Sequence, residues 1–163
     1  MNPCPCGFAG DPQKACGCAL AVVTKYQKRI SGPLLDRIDI HIEVPRVDYK
    51  KLSGDRLGES SEVIRRRVQA ARNIQQARFS NNGSSDIICN ADMHVGEIRQ
   101  FCEMQDEGQR LMRAAMSQLN LSARAYHRIL KLAGTIADLV GSDEIQSPHL
   151  VEALQHHPNI MMG

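Results

Sequence analysis

Tryptophan is absent from this chain of 163 residues, and phenylalanine and tyrosine number three each. Any core must therefore be aliphatic and methionine-filled, as in packed helices. No run of about 18 apolar residues occurs, so no simple membrane-spanning helix and no membrane partner are expected. A basic-then-apolar N-terminus, the mark of a signal peptide, is missing too. Nor is there an excess of one charge: 20 lysines and arginines against 18 aspartates and glutamates leave a net charge of +2. That balance argues against an all-over nucleic-acid-binding surface, and any basic patch must be local. A cytoplasmic location is expected, and in a reducing compartment six cysteines argue for metal binding or burial rather than disulfides.

Several catalytic signatures are also lacking. There is no G-x-x-x-x-G-K-[ST] loop to cradle a triphosphate, and no apolar strand ends in an Asp-Glu pair for magnesium. Asp143-Glu144 follows a helix terminus instead. Neither a nucleophile elbow nor an H-E-x-x-H sequence occurs. Taken alone, the chain holds no complete active site.

What is present begins with Cys4-Pro5-Cys6 and Cys16-Gly17-Cys18, joined by a Gly/Pro/Asp loop. Two close pairs converging from a loop supply the four soft ligands of a tetrahedral zinc site, although C-x-C leaves less room than C-x-x-C to bend both sulfurs onto one ion. A cysteine-rich turn without metal is the plainer alternative. For Cys89 and Cys102, each standing alone, burial as an apolar thiol is expected.

A short helix is predicted over 19–29. Ser31-Gly32-Pro33 is a turn signal. From Ile38 to Val44 apolar and polar residues alternate strictly, predicting a half-buried strand that Pro45 stops, with Arg37 where the chain enters it. The charged loop 46–58 is the clearest boundary. Helices are predicted over 60–79, near 95–103, from the Asp106-Glu107-Gly108-Gln109 capping box, from Ser122 to a Gly141 terminator, and from Ser147-Pro148 to His156-His157. Short connections among them imply a small bundle.

Two basic regions stand out. The helix over 60–79 carries Arg65, Arg66, Arg67, Arg72 and Arg78, which do not form one stripe. Stem packing with solvated heads is the expected use of several of them. Arg124, His127, Arg128 and Lys131 share one helix face, and Arg124 sits in a first turn where free N–H groups favour an anion, so a phosphate-sensing role suits it. An ordinary exposed basic face is the competing reading.

Three separated blocks, Met1-Asn2-Pro3-Cys4-Pro5-Cys6-Gly7, Ile30-Ser31-Gly32-Pro33-Leu34-Leu35-Asp36-Arg37-Ile38-Asp39 and Leu121-Ser122-Ala123-Arg124-Ala125-Tyr126-His127-Arg128-Ile129-Leu130, resemble the magnesium-chelatase-like AAA+ ATPases of bacteria, the ComM/YifB type. The resemblance implies a mainly α fold with a minor β part: the C-terminal piece of a AAA+ module. Residues 1–45 would be the edge of the α/β core with the cysteine knuckle, 46–95 a connecting loop and long helix, and 96–163 a helical lid. Asn2 resembles the sensor-1 polar residue that orients the attacking water. Arg37 resembles the arginine finger offered to the neighbouring subunit's nucleotide, and Arg124 the sensor-2 arginine of the lid. The family's cysteines make Cys4, Cys6, Cys16 and Cys18 the expected Zn2+ ligands. The implied protein is a homo-oligomeric, hexameric ring that uses ATP and Mg2+ and acts on DNA in recombination and natural transformation, with the missing phosphate-binding loop upstream and this piece inactive alone. Two other readings remain: a stand-alone zinc-knuckle and helical-bundle module that binds nucleic acid or protein, and a motor subunit of a magnesium chelatase.

Overall fold

The computed structural model describes residues 2–35, 37–44, 47, 53–54, 58–80 and 86–157. Met1, Asp36, Pro45, most of the 46–58 loop, 81–85 and Pro158 lie outside them, with the sequence expectations that fall there. The chain divides into two compact units, one of Met1–Ile38 with Glu43–Gly54, the other of Asp39–Ile42 with Asp55–Gly163.

The first unit is mostly turns. Gly7 and Gly10 take φ of +82° and +83°, a left-handed backbone that residues with a Cβ rarely adopt, and the loop folds back twice around them. Helix α1 (Leu20–Gln27) and the single turn α2 (Gly32–Leu35) follow, and neither buries a residue. Gln27 ties α1 to the N-terminal turn by donating from Nε2 to the Pro3 carbonyl at 3.2 Å.

The second unit is helical: α3 (Ser61–Ser80), a 3-10 turn (Asn90–Asp92), α4 (Val95–Phe101), α5 (Asp106–Gln118), α6 (Ala123–Val140) and α7 (Ser147–Gln155). The centre is α6, which packs against α3, α4, α7 and the 3-10 turn, while α5 reaches the bundle through α7. Its sequence explains the choice. Ser122 accepts the Ala125 N–H at 3.1 Å, capping one end. Gly141, at φ +71°, closes the other, and the Ser142 N–H returns to Ala137 O at 2.9 Å. Between the caps, Ala125, Ile129, Leu130, Ala133, Ile136 and Ala137 are buried.

The core around α6 includes Phe79, Met93, Ile98, Met112 and Leu150, the aliphatic and methionine filling that scarce aromatics require. Phe79 and Phe101 meet edge to face, centroids 5.6 Å apart. Helices α5 and α7 come close at Gly108, where an added Cβ would lie 3.1 Å from Leu150 Cδ1. A polar seam crosses the same core. Arg78 of α3 donates to both carboxylate oxygens of Asp138 on α6, at 3.1 and 2.5 Å. Asn90 and Gln75 also donate to Asp138, at 2.8 and 2.9 Å, while Gln75 Oε1 accepts the Asn90 N–H at 3.1 Å. These bonds satisfy a carboxylate that is only 3 % exposed.

Mainly helical architecture is as expected, but three local expectations change. Residues 38–44 form no strand. A strand exists only as part of a ladder, and the sole β-pairing among the described residues is the isolated bridge Met104–Ile145. Ile38, Ile40, Ile42 and Val44 are consequently exposed. The cap of α5 is Gln105 rather than Asp106, and Gln109 donates to the Met104 carbonyl at 3.1 Å instead of accepting a cap N–H. Cys102 is buried, which pushes its thiol up to about 11. Cys89 is only half-buried and gives its S–H to Asp92 Oδ2 at 3.3 Å.

Candidate metal centre and basic cleft

In the first unit the tight turns at Gly7 and Gly10 fold the two C-x-C pairs onto one point. The Cys4, Cys6, Cys16 and Cys18 sulfurs all lie within 4.8 Å of one another. Cys4 Sγ is 3.3 Å from Cys6 Sγ and 3.7 Å from Cys16 Sγ, and Cys6 to Cys16 is 3.6 Å. A tetrahedron with Zn–S bonds of about 2.3 Å has edges of about 3.8 Å, so this set fits a zinc ion with little adjustment. Backbone amides support it: Ala9 N–H points to Cys4 Sγ at 3.3 Å and Cys18 N–H to Cys16 Sγ at 3.4 Å.

Electrostatics point the same way. Burial raises the Cys4 thiol, yet hydrogen bonds from Cys6, the Ala9 N–H and Cys16 outweigh it and lower it to about 6. The Cys18 N–H favours a Cys16 thiolate, but burial and the Cys6 and Cys4 sulfurs overcome it and push Cys16 up to about 12. The Cys6 backbone hydrogen bond favours a Cys18 thiolate, but the Cys6 sulfur and burial outweigh it, and Cys18 is raised as well. Sulfurs this close cannot all be anionic unaided, and a divalent cation removes that conflict.

Asn2 and Arg37 belong to the same unit. Asn2 is exposed, its amide 4.0 Å from where a Gly7 Cβ would stand. Arg37 is exposed, in the turn after α2, with its N–H bonded to Leu34 O at 3.0 Å. Its guanidinium makes no hydrogen bond or ion pair among the described residues.

In the second unit, one wall of a cleft of about 670 Å³ is the basic face of α6, and its apolar floor includes Met93, Val95, Ile98 and Leu132. The cations on this wall differ in employment. Lys131 donates from Nζ to the Ala91 carbonyl at 2.7 Å. Arg128 is held by Asp39, an ion pair in which the acid's side chain is 65 % exposed. Arg124 is exposed in the first turn of α6 and, among the described residues, forms no hydrogen bond or ion pair. The Asp39 contact was missed by sequence reasoning. Its signal is slight: Asp39 sits on the polar side of the 38–44 alternation, and the partner is 89 residues away.

Comparison with known proteins now places the chain. Residues 58–157 match the family described as magnesium chelatase, subunit ChlI C-terminal, and residues 1–52 match magnesium chelatase, subunit ChlI. The chain belongs to this magnesium-chelatase-like family. Among its relatives, competence protein ComM of Haemophilus influenzae is 38% identical, over 99% of this chain and 30% of that protein. The uncharacterized protein YifB of Escherichia coli is 38% identical, over 96% of this chain and 29% of its own length. The uncharacterized Rv2897c of Mycobacterium tuberculosis is 35% identical, over 86% and 27%. The chain thus spans less than a third of the curated relatives it matches. Among the described residues, no helix is long and apolar enough to cross a membrane.

Proposed function

We propose that this chain is the finger-and-lid portion of an ATP-driven DNA motor. The observation that carries the reading is Arg124: a cation in a helix's first turn, at the edge of a large cleft, without a hydrogen-bond or ion-pair partner among the described residues while Arg128 and Lys131 beside it are engaged. The dipole and free N–H groups of that turn add to its attraction for a phosphate. Arg37, also unengaged among the described residues, is the arginine finger. Phosphoryl transfer is catalysed by positioning and by charge set against the spreading transition state, and a finger supplied from a neighbouring subunit contributes about 10³–10⁵ in rate. Asn2 orients the attacking water. ATP with Mg2+ supplies the phosphoryl group; the residues of this chain offer two arginines toward it and no phosphate loop. The intact protein is then a hexameric ring. Its work on DNA is supported by similarity to a competence protein along 99% of this chain.

Zinc at Cys4, Cys6, Cys16 and Cys18 is structural in this reading: four protein ligands leave no open position for substrate. Compactness of the cysteine turn by itself favours a second reading, a stand-alone binding module that needs no ATP.

The test is steady-state ATP turnover by the full-length protein. Arg37→Ala is expected to lower kcat by about 10³ or more with nucleotide affinity retained, and Arg124→Ala to weaken turnover and γ-phosphate-dependent affinity together. Residues 1–163 alone are expected to be inactive. Turnover unaffected by Arg37→Ala, or hydrolysis by this chain alone, would remove the motor reading.

A further inference from the structure

Helix α3 is long for the little it buries. Every residue from Ser61 to Ala70 is exposed, and only Ala71, Gln75 and Phe79 are buried along its 20 residues. Its five arginines have separate fates. Arg78 turns inward to Asp138. Arg67 is clamped by Glu59 through two bonds of 3.1 and 3.2 Å. Arg65 and Arg72 have no hydrogen-bond or ion-pair partner among the described residues, and Arg66 meets only Glu62, at 3.9 Å with both side chains more than 70 % exposed.

At 100° per residue, Arg65, Arg66, Gln69, Arg72, Asn73 and Gln76 fall within an arc of about 120°. This arc is separate from the line of Ile64, Val68, Ala71, Gln75 and Phe79, of which Ile64 and Val68 are exposed and the last three are buried in the core. It holds three cations, three side-chain amides and one acid, Glu62, and no apolar residue. A protein partner would need an apolar or aromatic anchor near the centre of its contact, and the arc offers none. Arginine, glutamine and asparagine together are what a phosphate backbone and exposed base edges require. Arg65 and Arg72 stand about 10 Å apart along the axis, which spans about three phosphates of one strand.

We propose that the outer face of α3 is a nucleic-acid contact surface, with Arg65, Arg66 and Arg72 on the phosphates and the interleaved amides beside them. It borrows from the motor reading only the choice of DNA as polymer, and it requires neither Arg37, Arg124 nor ATP. Such a surface fits a net charge of only +2, because the positive charge it needs is concentrated on one half-helix.

The experiment is fluorescence anisotropy of a short labelled DNA duplex, and of the matching single strand, titrated without nucleotide across about 50 to 200 mM salt. Three phosphate contacts predict a slope of log K against log salt near −2.7 on duplex and near −2.1 on single strand. Arg72→Gln should reduce the slope by about one, and the Arg65→Gln/Arg66→Gln/Arg72→Gln variant should remove most of it. Helical circular dichroism should be unchanged, because these positions are exposed and glutamine is a good helix former. Arg110→Gln, an exposed arginine on α5, should change nothing. The proposal is overturned if the chain binds neither DNA at the lowest salt, if the triple variant binds with unaltered slope, or if Arg110→Gln weakens binding as much as Arg72→Gln does. Because ATP turnover is not read, loss of this proposal leaves the motor reading standing, and the reverse also holds.

Discussion

The two units of this chain hold themselves together by different means. In the first, Cys4 is the buried member of a sulfur cluster, and helices α1 and α2 bury nothing. In the second, Phe79, Met112 and Leu150 are fully buried, and a helix capped at both ends runs through the middle. Burial of apolar area scales with the size of the element that can be closed around a core, and a short turn-rich segment cannot close one. Four convergent thiols offer a different route, in which metal bonds replace the missing core. The same chain thus contains a unit built around a candidate metal site and a unit built around an apolar core.

Chelation breaks the comparison most sharply. Removing zinc, or replacing Cys16 by Ser, is expected to cost the first unit a stabilisation of order 10 kcal/mol and to unfold it. Metal analysis should fall from one zinc per chain to none, and amide exchange should become fast before residue 30 while α6 stays protected. If zinc is absent from the untreated chain, or if α6 loses protection along with the turn, the distinction between the units fails. Next comes Asp138→Ala, which leaves Arg78 facing the core without its carboxylate. A loss of about 3 kcal/mol is expected in urea unfolding of the helical unit, with zinc content unchanged. Asp138→Asn should lose less, since it keeps an acceptor for Arg78. Smallest is Ser122→Ala, which removes the cap of α6 and is expected to lower the same unfolding free energy by about 1 kcal/mol.

Much of the helical unit was legible because its signals are local. Ser122, Gly141 and the apolar residues between them state a helix, its ends and its buried face within one stretch of sequence. The cysteine pairs were legible too, although C-x-C spacing alone does not say that the sulfurs meet; the positive φ of Gly7 and Gly10 supplies the missing bend. What eluded the sequence depends on distant partners. The alternation from Ile38 to Val44 is a correct statement of what those side chains would do in a sheet, and the described residues contain no second strand to make one. Arg78 is one of five arginines on a helix where stem packing with solvated heads is the general expectation, and nothing local marks it as the one that turns inward. Its carboxylate, Asp138, is 60 residues away, and the one clue was an acid set among the alanines and isoleucines of α6. Asn2 and Arg37 were singled out by resemblance, Arg124 by its first-turn position as well, and the kinetic test decides their roles.

The four sulfurs all lie between Cys4 and Cys18, and the contact of Cys4 with Cys16 spans only 12 positions. Closing so short a loop takes well under a microsecond by the usual rates of chain diffusion, about 10–100 ns for a ten-residue loop. The cluster can therefore form as soon as that segment leaves the ribosome, before the helices that follow have been translated.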